Sequence, residues 1–213
     1  MKTAIDAGIS ASTSTRIKIF LFFLCLRLCL RLRCNEWKWN TAQAWLQIER
    51  MKLLRLDRKG RKGGGCMLYY GGHLQATHRR DLFINGLEAI WLQVKFSNTS
   101  ALFSVMYRPP DDNDFFSLIE QSLEKAWLKS SCSILLGGFN CDFSTREDWN
   151  GNGAKLRSIF EMFNMENVIQ TATRITLTSR TLIDLIVITR KDSVGITGVF
   201  PLGIADHNLI YPT

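Results

Sequence analysis

The sequence predicts an α/β fold, and three observations carry that expectation. Residues 87–96 and 101–107 alternate or run apolar on either side of Asn98-Thr99-Ser100, which is the pattern of a strand hairpin. Residues 115–127 place Phe115, Phe116, Leu118, Ile119, Leu123, Ala126 and Trp127 at helical spacing. Ser133-Ile134-Leu135-Leu136 then runs without interruption into Gly137-Gly138-Phe139-Asn140-Cys141-Asp142. An apolar run entering a paired glycine and an Asn reads as a buried strand whose carboxyl end presents an amide at a tight loop. Open sheets keep their chemistry at such ends, so this loop is the first candidate for a site.

Length and charge set the frame. A chain of 213 residues buries one good core, so a single domain over 51–213 with an atypical amino end over 1–50 is expected. A hydrophobic fraction of 46% with 11% aromatic residues excludes a disordered chain. The net charge of +8 favours anionic partners, nucleic acid or acidic lipid surfaces, although much of the excess lies in residues 27–33 and 50–62. The six cysteines form no CxxC pair, so neither a zinc site nor a disulfide framework is indicated, and reduced, mostly buried thiols are expected.

In chain order, Arg16 and Lys18 followed by eight apolar residues, Ile19 to Leu26, have the n- and h-region pattern of a secretory signal. Arg27, Arg31 and Arg33 interrupt the run, which is too short to span a bilayer and lacks a small-residue cleavage site. It reads either as a signal or anchor or as a basic, Leu-rich segment unrelated to the fold. Asn35-Glu36-Trp37-Lys38-Trp39-Asn40 is polar and aromatic with one carboxylate. Residues 54–65 read as a basic loop ending in three glycines, suited to a phosphate backbone or to a solvated connection. No GK[ST] follows, so it is not a P-loop. Cys66 to Tyr70 is a short buried strand, and residues 87–96 form a half-buried strand.

The second hairpin strand ends at Tyr107-Arg108-Pro109-Pro110, because proline cannot continue sheet pairing. Asp111, Asp112 and Asp114 supply capping carboxylates for the helix that leads to the Gly137-Gly138 strand. Asn152-Gly153 begins a second amphipathic helix with Leu156, Ile159, Phe160 and Phe163 as core. In the strand Leu182 to Ile188, Asp184 is costly unless its charge is paired, and His207 in Ala205-Asp206-His207 is a candidate partner.

Taken in this order, the motifs resemble the endonuclease domain of non-LTR (LINE-type) retrotransposons. That domain is a branch of the endonuclease/exonuclease/phosphatase superfamily, which includes apurinic endonucleases and DNase I. The resemblance covers residues 51–211. It rests on Arg55-Leu56-Asp57-Arg58 with Gly63-Gly64-Gly65, Leu87-Glu88-Ala89-Ile90-Trp91, Tyr107-Arg108-Pro109-Pro110 and Gly137-Gly138-Phe139-Asn140. Thr173-Arg174-Ile175-Thr176, Ile183-Asp184-Leu185-Ile186 and Ala205-Asp206-His207 complete it. The resemblance implies a four-layered α/β sandwich of two packed mixed sheets flanked by helices. It implies magnesium-dependent cleavage of a DNA phosphodiester, with DNA as partner, a nuclear or cytoplasmic location and a monomer without an obligate protein partner. In retrotransposons the nick primes reverse transcription. Membrane association or secretion would come only through residues 17–33.

By position, the resemblance assigns Asp206 to the metal and His207 to the scissile phosphate, with Asp184 orienting the imidazole. Tyr107 would lie against the phosphate, and Asn140 would position the attacking water or polarise the phosphoryl oxygens. Arg55, Arg58, Arg61, Lys62, Arg108 and Arg174 would meet the DNA backbone. Three departures accompany it. Gly138 replaces the Asp of GDFN, and Asp142, four residues on, is expected to point elsewhere. Ala205 replaces a Ser. The Asn-bearing first strand is not recognisable, and Glu36 lies roughly where the family's metal-binding Glu stands. A degenerate enzyme, or a nucleic-acid-binding remnant without activity, is therefore the expectation, with a secreted phosphodiesterase as the further alternative.

Overall fold

The hairpin on either side of residue 98 is the centre of the main sheet. The structure is a computed structural model that describes residues 47–58, 64–97, 99–144, 151–203 and 205–212. In chain order its strands are β1 (Met51–Leu56), β2 (Cys66–Gly71), β3 (Gln75–His78), β4 (Glu88–Lys95), β5 (Ser100–Tyr107) and β6 (Ser133–Gly138). The short β7 (Glu166–Asn167), β8 (Arg174–Ile175) and β9 (Arg180–Thr181) follow, then β10 (Asp184–Ile188), β11 (Thr197–Phe200) and β12 (Leu209–Pro212). Helices α1 (Phe115–Trp127) and α2 (Asn152–Met162) lie between β5 and β7 in sequence. Among the described residues, no helix is long and apolar enough to cross a membrane.

The main sheet has the order β3-β4-β5-β6-β10-β7. Its one parallel pair is β5 with β6, and a parallel pair needs a crossover, which α1 supplies. The Asp111–Asp114 cluster starts that helix as expected, and Asp112 is the carboxylate that caps it, Oδ1 accepting the Phe115 N–H at 3.1 Å. Phe115 packs edge-on against Phe139, and Phe139 against Phe160 of α2, with centroids 6.1 and 5.7 Å apart. Both helices therefore cover one face of the sheet. The ribbon β1–β2 packs on β4 and β5, and β12 on β10, so the second layer of strands is formed by two-stranded ribbons among the described residues.

Two expectations are corrected. Residues 87–96 were expected to be half-buried, but Ala89 to Leu92 are buried on both faces. The reason is the double cover: Trp91 lies under α1, where its Nε1 donates to Ser122 Oγ at 2.9 Å, while the alternate residues face the ribbon. Residues 54–65 are not all loop, because Leu54 and Leu56 alternate with exposed Arg55 and rest on the core, extending β1 to Leu56. The edge strand β3 was not anticipated, since its residues, mostly exposed, give no apolar pattern. Among the described residues the cysteines are free, with Cys66 and Cys141 buried and Cys132 partly so. The signal-like run and residues 1–46 as a whole lie outside the described residues.

Gly137 is required by packing. A Cβ there would run into the Met106 carbonyl oxygen and press on the Phe139 ring. Gly137→Ala is therefore expected to destabilise the chain by about 1–3 kcal/mol, read from urea unfolding midpoints.

Candidate active site

Strand register brings the candidate residues together. Tyr107 pairs with Gly138 across β5–β6, and Gly138 pairs with Asp184 across β6–β10. Directly opposite residues share a face, so Tyr107, position 138 and Asp184 present their side chains to one side at the same end of the sheet. Asp184 is 3% exposed, and its Oδ2 lies 2.9 Å from His207 Nδ1. The pairing anticipated from the cost of a buried carboxylate is thus present. With Nδ1 committed to Asp184, His207 Nε2 is left buried and without a partner. In the neutral ring that atom carries the lone pair, and in the charged ring a proton.

The residue that holds this dyad stands in the Thr173-Arg174-Ile175-Thr176 motif, where the sequence assigned it no role. Thr173, fully buried, accepts the N–H groups of Ile183 and Asp184 on its Oγ1 at 3.2 and 2.9 Å. Its N–H donates to the Thr181 carbonyl at 3.0 Å, and its carbonyl accepts the Asn208 N–H at 2.7 Å. Arg174 bridges to His207 in antiparallel fashion, and the Ile175 N–H donates to the Asp206 carbonyl. One threonine thereby fixes the start of β10 and the segment bearing His207. Its signal was weak because it sits in a stretch rich in threonine.

Asn140 adopts a left-handed φ of 49°, a conformation that Asn tolerates better than most residues, and its Nδ2 donates to the Arg108 carbonyl at 2.6 Å. The amide is thus partly committed to the backbone. Asp142 is a brace, as its expected direction implied: Oδ1 accepts the N–H groups of Ser144 and Leu182, both at 3.0 Å. Arg108 corrects an expectation. It is fully buried, reaches the Asn140 carbonyl at 3.3 Å and covers the Phe116 ring, so it does not face a DNA backbone. Being one residue past Tyr107, its side chain turns to the helix side of the sheet. Burial pushes the neighbouring Cys141 thiol up to about 11 despite the pull of Arg108, so Cys141 is no nucleophile.

Asp206, expected at a metal, is paired with Arg174 at 3.0 Å. Partial burial would raise its carboxyl, but the hydrogen bond from Arg174, with help from its own backbone N–H and from the charges of His207 and Arg174, holds it below the ordinary range. Among the described residues no three His, Cys, Asp or Glu side chains gather as metal ligands. Gly138 supplies no carboxylate, so these residues do not by themselves fit a hard cation that needs several oxygens. Arg55 pairs with Asp57 at 2.5 Å. The Arg58 guanidinium carbon lies 5.5 Å from the Tyr107 ring centroid. Glu36, Arg61 and Lys62 lie outside the described residues.

The architecture is the DNase I-like α/β fold of the endonuclease/exonuclease/phosphatase superfamily. The chain is similar to the endonuclease domain of TRAS1, a telomere-specific non-LTR retrotransposon, with a TM-score of 0.64 and 15% identity over 76% of this chain and 79% of that one. It is similar also to the 3'-5' exonuclease NExo of Neisseria meningitidis, with a TM-score of 0.56 and 12% identity over 80% and 82% of the two chains. The human Nocturnin catalytic domain, which carries a bound sulfate anion, gives a TM-score of 0.53 and 13% identity over 82% and 77%. At these identities the likeness is one of fold. No protein-family model matches the sequence, and no curated protein does.

Two outcomes follow from the site's geometry. Thr173→Val strips the acceptor from two buried N–H groups and is expected to lower unfolding free energy by about 2–3 kcal/mol, whereas Thr173→Ser retains most of it, as urea titration would reveal. The Arg174–Asp206 contribution is present above the ordinary carboxylate range and fades as pH falls through the lowered value of the folded state. Comparing acid unfolding of the native chain with Arg174→Ala should show the two curves converging in acid.

Proposed function

We infer that the chain derives from the DNA-cleaving domain of a non-LTR retrotransposon, and that its ancestral reaction is magnesium-dependent cleavage of a DNA phosphodiester. That reaction is impaired or lost here at position 138. The observation carrying this reading is the Asp184–His207 pair at 2.9 Å, with Tyr107 and Gly138 in register beside it. A carboxylate that holds an imidazole through Nδ1 fixes the ring and leaves Nε2 for a phosphoryl oxygen, to which a protonated ring donates as negative charge develops. A side chain at 138 would share the face of Asp184 and Tyr107, the place for a group that takes the proton of an attacking water. Glycine has no such group, and general acid–base catalysis contributes about 10²- to 10⁴-fold.

A second reading, DNA binding without cleavage, is favoured by the Arg174–Asp206 pair, which occupies the carboxylate that the resemblance gives to the metal. Supercoiled plasmid incubated with the purified chain and magnesium separates the two. Gly138→Asp should nick at least about 10²-fold faster than the native chain, and adding His207→Ala should abolish the gain. Should Gly138→Asp leave the plasmid intact while binding persists and weakens steeply with salt, the binding module is the correct reading.

A further inference from the structure

Beside Tyr107 the sheet carries an arrangement that the cleavage reading leaves unused. Glu88 opens β4 directly opposite Tyr107 in the β4–β5 register. Its carboxylate is divided between two partners: Oε1 accepts from Nε of Arg58, and Oε2 accepts the backbone N–H of Gly65. These partners flank the Lys- and Gly-rich residues 59–64, so one carboxylate grips the chain on both sides of that stretch. Arg58 is held against the Tyr107 ring with its side chain 18% exposed, and its Nη2 is buried without a partner.

A buried guanidinium N–H without an acceptor is costly, and such a group calls for an explanation. His207 Nε2 is also unpartnered near the same end of the sheet, as are Arg108 Nε and Nη2 on its helix side and Thr181 Oγ1. The acceptor suited to a guanidinium donor next to Tyr107 is an anionic phosphoryl oxygen, which takes a charge-assisted bond from a planar fork. Using Nε for Glu88 fixes the plane of that fork, with Nη2 set close to Gly64.

We propose that Glu88 is a positioning residue for phosphate recognition, locking Arg58 over Tyr107 so that its remaining guanidinium edge meets a DNA phosphate. The inference rests on the DNA reading above, and it opposes the simplest electrostatic expectation. A carboxylate next to a phosphate site should repel the ligand, so its removal should strengthen binding. On the positioning account removal weakens binding, because Arg58 loses its orientation.

The test is fluorescence anisotropy of a fluorescein-labelled duplex oligonucleotide with the full chain over a series of KCl concentrations. Native protein, Glu88→Gln, Arg58→Ala and the double variant are compared. Arg58→Ala is expected to weaken binding roughly tenfold and to reduce the salt slope by about 0.9, the loss of one phosphate contact. Glu88→Gln should weaken binding although it removes a negative charge, and should add nothing in the Arg58→Ala background. Tighter binding by Glu88→Gln, or losses that simply add, would overturn the proposal. Amide exchange at Gly65, measured without DNA, should quicken in Glu88→Gln at an unchanged thermal midpoint, and unchanged exchange would refute the clip itself. A native chain that binds no duplex would remove the DNA reading and this inference with it, whereas binding that is indifferent to Glu88 removes the inference alone.

Discussion

A carboxylate buried at the start of a core strand is the constraint to which much of this structure answers. Asp184 is buried between β6 on one side and the Thr173 segment that accepts its N–H on the other, and an isolated charge there would be expensive. His207 meets it from a segment 23 residues further along the chain. That segment is held in place by backbone bonds to Thr173 and Ile175. The pair thus does structural work whatever its chemistry: it ties the carboxyl-terminal segment, and through it β12, to the main sheet. A reaction that uses His207 Nε2 inherits a ring already fixed by folding.

The fold was legible in the sequence wherever burial imposed a period. The hairpin, the crossover helix and the Gly137-Gly138 strand were readable because their apolar residues fall on one face or run unbroken. Edge elements were not, since β3 is mostly exposed and β8 and β9 have two residues each, too few for a pattern. For the site, Asp184 with His207 could be found because charge inside an apolar strand demands a partner. Thr173 could not, because accepting backbone N–H groups leaves no mark in composition. Arg108 was misplaced for a related reason: sequence places it beside Tyr107, but strand alternation sends it to the opposite face, under Phe116.

Among the described residues, several of the positive charges counted in the net value are neutralised locally. Arg55, Arg58, Arg79, Arg174 and Arg190 are each paired with a nearby carboxylate, and Arg108 is buried. Charges neutralised at such short range contribute little to the field felt by an approaching polyanion beyond a Debye length of about 10 Å. On the proposed DNA reading, what these arginines would offer is oriented donors at short range, which favours recognition of particular phosphates over general attraction.

The four residues Gly137 to Asn140, which close β6 and open the turn after it, can now be divided by the physical demand each meets. Gly137 is dictated by the Met106 carbonyl, Phe139 by its place between Phe115 and Phe160, and Asn140 by a left-handed backbone and the Arg108 carbonyl. Position 138 is where the chain departs from the pattern it resembles, and with Asn140 it is a position to which the resemblance assigns chemistry. A motif of this kind is therefore chiefly a record of how a chain must turn. It can outlast the reaction it once served, because selection for a folded sheet alone is enough to preserve most of its letters.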